Sequence, residues 1–152
     1  MVVNLRRRHA TFGIGAFSLM PLIASWPALA ARRDVQRLIE KISPKAPKKG
    51  RIALDLAPIS EDGANVLIGF SVDSPMTEND HVKTVHLFAE RNPNPKVASY
   101  HFTPQSGKAE VITKIRLAES QRVIALAVMT DGTAYLDSSH VKITIGGCGG
   151  GN

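Results

Sequence analysis

The chain has 152 residues, with 19 Lys and Arg against 13 Asp and Glu, 5% aromatic residues and a single cysteine. This length fits one domain of roughly 100–200 residues with a processed segment, and such a domain buries a core without disulfides. An intramolecular disulfide is excluded, because one thiol has no partner within the chain. The formal charge of +6 suggests nucleic-acid binding as one function to consider. Whether the charge supports it depends on where the basic residues lie.

Residues 1–30 have the pattern of a cleaved export signal. Arg6-Arg7-Arg8 precedes a stretch from Ala10 to Ala31 that has neither acid nor base and that contains Ala28-Leu29-Ala30. A basic start, an apolar centre and an A-x-A site predict secretion with cleavage near Ala30. The alternative is a membrane anchor, since about 20 apolar residues can span a bilayer. Two glycines and two prolines weaken such a helix, so we expect no stable membrane insertion after processing.

The paired arginines also suggest export by the twin-arginine (Tat) route. Ala10 stands where that pattern prefers phenylalanine, so the general secretory (Sec) route stays open, and either route predicts a periplasmic protein. Removing residues 1–30 takes away three arginines and no acids, which lowers the formal charge from +6 to +3. Five aromatic residues remain. With so little charge and so few stacking groups, we expect no nucleic-acid binding.

Residues 31–50 are predicted to form a short helix and a linker. Four apolar side chains recur at the i, i+3, i+4, i+7 spacing of an amphipathic helix: Val35, Leu38, Ile39 and Ile42. Asp34 is a suitable N-cap and Pro44 a stop, so the helix should cover 34–42. The segment 44–49 contains two prolines and three lysines, which is typical of a solvated linker.

Residues 51–145 predict one all-β sandwich domain without internal repeats. The chain changes there to short runs rich in β-branched residues with turns between them. The continuously apolar run 123–129 predicts a central strand covered on both faces. Asp131-Gly132 predicts a two-residue type I′ hairpin turn. The predicted strands cover 52–57, 65–72, 82–90, 97–103, 109–117, 122–130, 133–137 and 140–145.

No predicted strand carries an active-site pattern. The five histidines, at positions 9, 81, 86, 101 and 140, have no metal-ligand spacing. His86 and His101 could meet across neighbouring strands, but no third ligand accompanies them. We therefore expect neither a metal nor another cofactor, and no catalytic residue.

The segment 146–152 reads Gly-Gly-Cys-Gly-Gly-Gly-Asn and has almost no side chain that could pack. We expect a flexible arm. Its thiol, Cys148, lies within about 10 Å of Ile145 along the chain, at roughly 3.3–3.6 Å per residue. That reach is enough to enter a cleft in another protein. A free, exposed thiol in an oxidising compartment invites mixed disulfides, so an incidental cysteine explains this arm poorly.

These residues resemble the SoxY family, the sulfur-carrier subunit of the bacterial thiosulfate-oxidising Sox system. The resemblance implies an immunoglobulin-like β-sandwich of about seven strands and a carrier that is not an enzyme. It also implies that Cys148 is the covalent attachment site for thiosulfate-derived sulfur. The remaining arm residues would be Gly146, Gly147, Gly149 and Gly150. Shorter motifs add to the terminal Gly-Gly-Cys-Gly-Gly: Ser74-Pro75-Met76, Asn92-Pro93-Asn94-Pro95, Thr103-Pro104-Gln105-Ser106-Gly107, Ile115-Arg116-Leu117 and Thr130-Asp131-Gly132.

The resemblance implies partners as well. SoxZ would form a heterodimer with the chain, while the haem protein SoxXA, SoxB and a sulfane dehydrogenase would dock transiently. Two other functions stay open from the residues alone. A thiol-dependent oxidoreductase would use Cys148 directly, although the chain offers no second cysteine to resolve an intermediate. An immunoglobulin-like binding module would use no thiol chemistry and would not need residues 146–152.

Overall fold

The computed structural model describes residues 26–145, with side chains from residue 32 onward. The export signal therefore lies mostly outside the described residues, and the arm 146–152 lies wholly outside them. One helix, α1 (Trp26–Ile42), precedes eight strands and a short 3-10 helix (Pro104–Ser106). The strands are β1 (Ile52–Leu56), β2 (Ile59–Asp62), β3 (Val66–Val72), β4 (Val82–Ala89), β5 (Lys96–His101), β6 (Ala109–Ile115), β7 (Gln121–Met129) and β8 (Ala134–Ile145).

The strands form two sheets that pack face to face. One sheet has the order β1-β3-β6 and the other the order β2-β8-β7-β4-β5. Neighbouring strands are antiparallel throughout, except that β2 runs parallel to β8. The inward-facing side chains of both sheets form one core, which includes Ile68, Phe70, Val85, Leu87 and Val141. A β-sandwich is therefore confirmed.

Strand β7 is buried on both faces, as its apolar run predicts. Val123, Ala125 and Ala127 point into the core between the sheets. Ile124 and Leu126 point to the outer face of the five-stranded sheet, where they belong to a second apolar cluster. All five are at most 5% exposed, so the apolar run of this strand is stable here because neither of its faces meets water.

Helix α1 covers that outer face. Val35 and Ile39 are buried against Phe88, Ile124 and Leu126, while Leu38 and Ile42 pack at the margin of the same cluster. The predicted apolar stripe and the helix end at Ile42 are confirmed.

The predicted start of α1 is wrong, because the helix begins at Trp26 and Asp34 lies inside it. Proline is tolerated in the first turn of a helix, so Pro27 does not stop the extension towards the N-terminus. Asp34 pairs instead with Arg37 at 3.4 Å. No helix within residues 26–145 has the length and apolar character needed to cross a membrane.

The segment 44–49 is attached to the five-stranded sheet, and the prediction of a solvated linker is wrong at Lys48. The Lys48 N–H donates to the Ala134 oxygen, and the Leu136 N–H donates to the Lys48 oxygen, each at 2.9 Å. Lys48 thus makes a parallel bridge to Tyr135 on β8. Its side chain remains exposed, which is why the composition resembles a linker.

The division into strands differs from the prediction at two places, and several strand ends differ by one or two residues. Strand β2 lies between the predicted strands 52–57 and 65–72, where the sequence predicts no strand because Ile59 is the only apolar residue of β2. The predicted strands 133–137 and 140–145 are one continuous strand, β8. Ser138 and Ser139 interrupt the apolar pattern, yet both keep their pairing with β7.

The turn between β7 and β8 lies at the predicted place but has a different type. Gly132 has a positive φ of 79°, whereas Asp131 is not among the residues with positive φ, so type I′ is wrong. The Gly132 N–H donates to the Met129 oxygen at 3.1 Å, and the Met129 N–H donates to the Thr133 oxygen at 2.8 Å. These bonds close a three-residue loop with glycine in the left-handed position.

Candidate functional site at the end of β8

The thiol motif begins directly after the last described residue, Ile145. Cys148 and its glycine neighbours Gly146, Gly147, Gly149 and Gly150 therefore lie outside the described residues, and their predicted roles stay predictions. What the structure does place is the end of β8, from which the chain continues towards the thiol. The Ile145 side chain is 69% exposed, so the strand ends at the surface of the sandwich.

Strand β2 holds the end of β8 on one side. Asp62 pairs with Ile145 in the parallel register. The Gly63 N–H donates to the Ile145 oxygen at 2.8 Å, and the Thr144 hydroxyl donates to the Glu61 oxygen at 3.0 Å. The last described carbonyl of β8 is therefore fixed by a backbone hydrogen bond.

Ser120 holds the same end from the other side. Its hydroxyl accepts a hydrogen bond from the Ile143 N–H at 2.9 Å and donates to the Ile143 oxygen at 3.3 Å. The Leu117 N–H donates to the Gly63 oxygen at 2.7 Å, which joins the Ser120 loop to the β2 anchor. We call Gly63 and Ser120 the β8 anchors.

A buried amide network supports the loop that carries Ser120. Gln121 is 1% exposed, and its Oε1 accepts from the Arg91 N–H at 2.7 Å. Its Nε2 donates to Asn92 Oδ1 at 2.9 Å. Asn92 also accepts from the Ala118 N–H at 2.9 Å and donates to the Arg116 oxygen at 2.8 Å. This network joins the Asn-Pro-Asn-Pro motif to the loop beside β8.

The charge closest to the β8 end along β2 is the Asp62 carboxylate. It accepts hydrogen bonds from Asn65 Nδ2 at 2.9 Å and from the Ala64 N–H at 2.7 Å. These bonds, with a smaller contribution from Arg116, lower the pKa of Asp62 below its ordinary value. Asp62 is therefore an anion at neutral pH.

The other motifs of the resemblance shape loops. Met76 is buried and has a positive φ of 52°, and its N–H donates to Ser74 Oγ at 3.3 Å. The Thr103 N–H donates to Ser106 Oγ at 3.2 Å at the start of the 3-10 helix. Leu117 is fully buried in the core. Each motif thus has a structural explanation at its own position.

His86 and His101 lie on neighbouring strands, and each is bonded to a hydroxyl group. His86 Nδ1 lies 2.7 Å from Ser99 Oγ, and His101 Nδ1 lies 3.2 Å from Thr84 Oγ1. Burial lowers the pKa of His86 to about 4, with smaller contributions from Lys96 and His101. Among residues 26–145, no group of three His, Cys, Asp or Glu side chains could hold a metal ion.

Comparison with known families assigns the chain to a protein family. The model of the sulfur oxidation protein SoxY matches residues 36–148, which is more than half of the chain and includes the only cysteine. The chain belongs to the SoxY family. No curated protein matches the sequence.

Solved structures share the fold. The sulfur carrier protein SoxY from Chlorobium limicola f thiosulfatophilum matches with a TM-score of 0.61 and 23% identity, covering 75% of this SoxY-family chain and 99% of that one. A superoxide reductase (neelaredoxin) from Ignicoccus hospitalis matches with a TM-score of 0.55 and 15% identity, covering 62% and 80%. A putative superoxide reductase from Thermotoga maritima matches at 0.52 and 19%, covering 63% and 87%. These matches confirm the predicted immunoglobulin-like sandwich.

The β8 anchors were not predicted from the sequence. Gly63 lies between the predicted strands 52–57 and 65–72, and nothing in the sequence relates it to β8. A lone serine such as Ser120 gives no signal either, because its partner, Ile143, lies 23 residues away. Only the pairing of distant strands brings these groups together.

Proposed function

We propose that this SoxY-family chain is a periplasmic carrier that holds thiosulfate-derived sulfur on the Cys148 thiol while partner enzymes act on it. The observation that carries the proposal is the sequence Gly146-Gly147-Cys148-Gly149-Gly150 together with a family match that extends through residue 148. A chain whose only thiol stands among glycines has one place for a covalent sulfur adduct.

The fold supports this role. Gly63 and Ser120 fix the strand that leads into the thiol segment, so the segment starts from a defined point on the surface of the sandwich. Flanking glycines carry no Cβ, which lets the peptide enter a channel too narrow for other residues. A single cysteine also means that no second thiol of the chain can capture the cargo as an internal disulfide.

Loading is an oxidation. The Cys148 sulfur and the sulfane sulfur of thiosulfate form one S–S bond, and the step releases one proton and two electrons. The haem protein SoxXA takes up the electrons. SoxB then adds water to the terminal sulfone, so sulfate and a proton leave and Cys148 keeps a persulfide. In systems that have one, a sulfane dehydrogenase oxidises the remaining sulfane sulfur to a sulfone. Water supplies the oxygen, the dehydrogenase takes up the electrons, and protons are released.

Intact mass spectrometry tests the proposal. The chain 31–152 is incubated with SoxZ, oxidised SoxXA and thiosulfate. We expect a gain equal to one thiosulfate that is removed by reductant. When SoxB is added we expect a loss equal to one SO3 unit, because water supplies the fourth oxygen of the sulfate that leaves. Cys148→Ser is the matched control and should gain no mass. In a separate urea denaturation it should unfold at the same urea concentration as the wild type.

The outcomes separate the alternatives. A wild-type chain that gains no mass, or a Cys148→Ser variant that gains the same mass, contradicts the carrier proposal. Turnover of peroxide or a disulfide by the isolated chain would favour a thiol oxidoreductase. Sulfur oxidation that survives deletion of residues 146–152 would favour a binding module without thiol chemistry.

A further inference from the structure

The outer face of the three-stranded sheet exposes apolar side chains. Leu67 on β3 is 61% exposed and Ile112 on β6 is 80% exposed. The outer face of the other sheet differs, because helix α1 packs there on Ile124 and Leu126 and buries both. Large aliphatic side chains grouped on an exposed surface mark a site of interaction with another molecule.

A hollow lies at the centre of this face. Asp55, Gly69 and Ile112 stand side by side across β1, β3 and β6. Gly69 has no side chain, and a Cβ added there would lie 3.5 Å from Asp55 Cβ and 3.7 Å from Ile112 Cγ1. The resulting concavity has a volume of about 610 Å³. It can therefore receive a side chain from another molecule.

The charge of the hollow indicates what it receives. Asp55 and Glu110 are the charged residues that line it. Within residues 26–145 neither carboxylate belongs to an ion pair. Covering a carboxylate without a cation is costly. A ligand that buries this face must therefore supply a positive charge beside its apolar group.

A second copy of this chain meets that requirement poorly. A two-fold axis through the hollow and perpendicular to the strands would place Asp55 against its own counterpart. A two-fold axis along β3 would place Asp55 against the Ile112 position of the copy, since the two residues flank Gly69. Both arrangements bury Asp55 without a cation, although the first would place Glu110 against Lys114 of the copy. The charge of Asp55 therefore favours a chain of different sequence.

We propose that this face, formed by Asp55, Leu67, Gly69, Glu110 and Ile112, binds a different polypeptide chain. That chain inserts an apolar side chain over Gly69 and places Lys or Arg beside Asp55 and Glu110. The inference rests on the proposed function in one respect: the probe for this chain is the proposed partner subunit, SoxZ. The face belongs to the sheet opposite β8, so a subunit bound there leaves the end of β8 accessible to enzymes.

Calorimetric titration of SoxZ into the chain 31–152 tests the face. Ile112→Lys and Asp55→Lys should each weaken binding at least about tenfold, because both change the centre of the interface. Ile59→Lys is the matched control, since Ile59 is 60% exposed on β2 in the other sheet. Its affinity should stay at the wild-type value. Gly69→Ala, which makes only ordinary contacts with Asp55 and Ile112, should keep the fold and weaken binding by filling the hollow.

The results separate this inference from the carrier proposal. If both Ile112→Lys and Asp55→Lys bind SoxZ with wild-type affinity, the proposed binding face is wrong, even if Cys148 takes up thiosulfate. If these variants lose SoxZ binding, the proposed binding face is supported, even if Cys148 gains no mass. If the chain alone sediments as a dimer that Ile112→Lys dissociates, the bound molecule is a second copy and the choice of a different chain is wrong.

Discussion

Asp137 joins the two sheets through its carboxylate. Its Oδ2 accepts from the Leu54 N–H on β1 at 2.9 Å, and its Oδ1 accepts from the Ser138 N–H at 2.8 Å. Asp137→Ala leaves the Leu54 N–H without this acceptor, which should lower the free energy of unfolding by roughly 1–3 kcal/mol. Urea denaturation measures the loss. Asp137→Asn keeps a carbonyl acceptor and should lose less, and a wild-type value for Asp137→Ala would contradict the role.

His86 makes stability depend on pH. Burial lowers its pKa from 6.5 to about 4 in the folded chain, so the unfolded chain binds more protons between these values. Stability should therefore rise as the pH increases from about 4 to 6.5, and it should be lost again as the pH falls. His86→Gln cannot titrate and should have a flatter curve of unfolding free energy against pH. Parallel curves for the two proteins would show that His86 does not contribute.

Among the helices and strands, the spacing of apolar side chains predicts those elements that are stabilised by burying an apolar face. Val35 and Ile39 place α1, and the uninterrupted run of β7 predicts its two buried faces, because burial of those side chains drives both elements. Strand β2 has no such driving force: Ile59 is 60% exposed, and the strand exists because β8 offers it backbone partners. Ser138 and Ser139 led to the prediction of two strands for the same reason. They belong to β8 because their backbones pair with β7, and that pairing leaves no apolar pattern in the sequence.

The candidate site also has one part that is visible in the sequence and one part that is not. The glycine-cysteine motif stands out in the sequence because it is contiguous and chemically unusual, and its role stays a prediction. Its anchors could not, because Gly63 and Ser120 act through hydrogen bonds to residues far away in the chain. Hydrogen bonds between distant backbone groups leave no periodic pattern in the sequence.

The anchor at Ser120 gives a prediction for β8. Ser120→Ala removes the acceptor of the Ile143 N–H, so the end of β8 should open more easily, and global stability should fall by about 1 kcal/mol. Hydrogen exchange measured on a peptide that covers 141–145 should be faster by about fivefold, as that energy implies. The exposed Ser138→Ala is the control and should leave this exchange unchanged. Equal exchange in both variants would contradict the anchoring role.

For the molecule as a whole, the two outer faces of the sandwich differ. Helix α1 covers the face formed by Phe88, Ile124 and Leu126, whereas the face around Ile112 remains exposed. Since the sandwich supplies its own cover on one side, the exposed side is the one open to another chain. The end of β8 lies in the covered sheet, away from that open face. The subunit binding and the thiol delivery that we propose would therefore not compete for surface.

The covering role of α1 leads to a prediction about where the chain can begin. A chain that starts at residue 31 keeps Val35 and Ile39 and should fold as a stable sandwich. A chain that starts at residue 44 loses both and exposes Phe88, Ile124 and Leu126. Each large side chain that loses its burial costs about 1.5–3 kcal/mol, and the new apolar patch favours aggregation.

Urea denaturation and analytical sedimentation compare the two chains. The chain from residue 44 should unfold at a lower urea concentration and form larger species, and dye binding should report its exposed apolar surface. Ile39→Ala in the chain from residue 31 isolates the packing effect and should cost about 2–5 kcal/mol. Gln36→Ala, on the exposed side of α1, should change stability by less than about 0.5 kcal/mol. If the chain from residue 44 were as stable and as monomeric as the longer one, α1 would not be the cover of the five-stranded sheet.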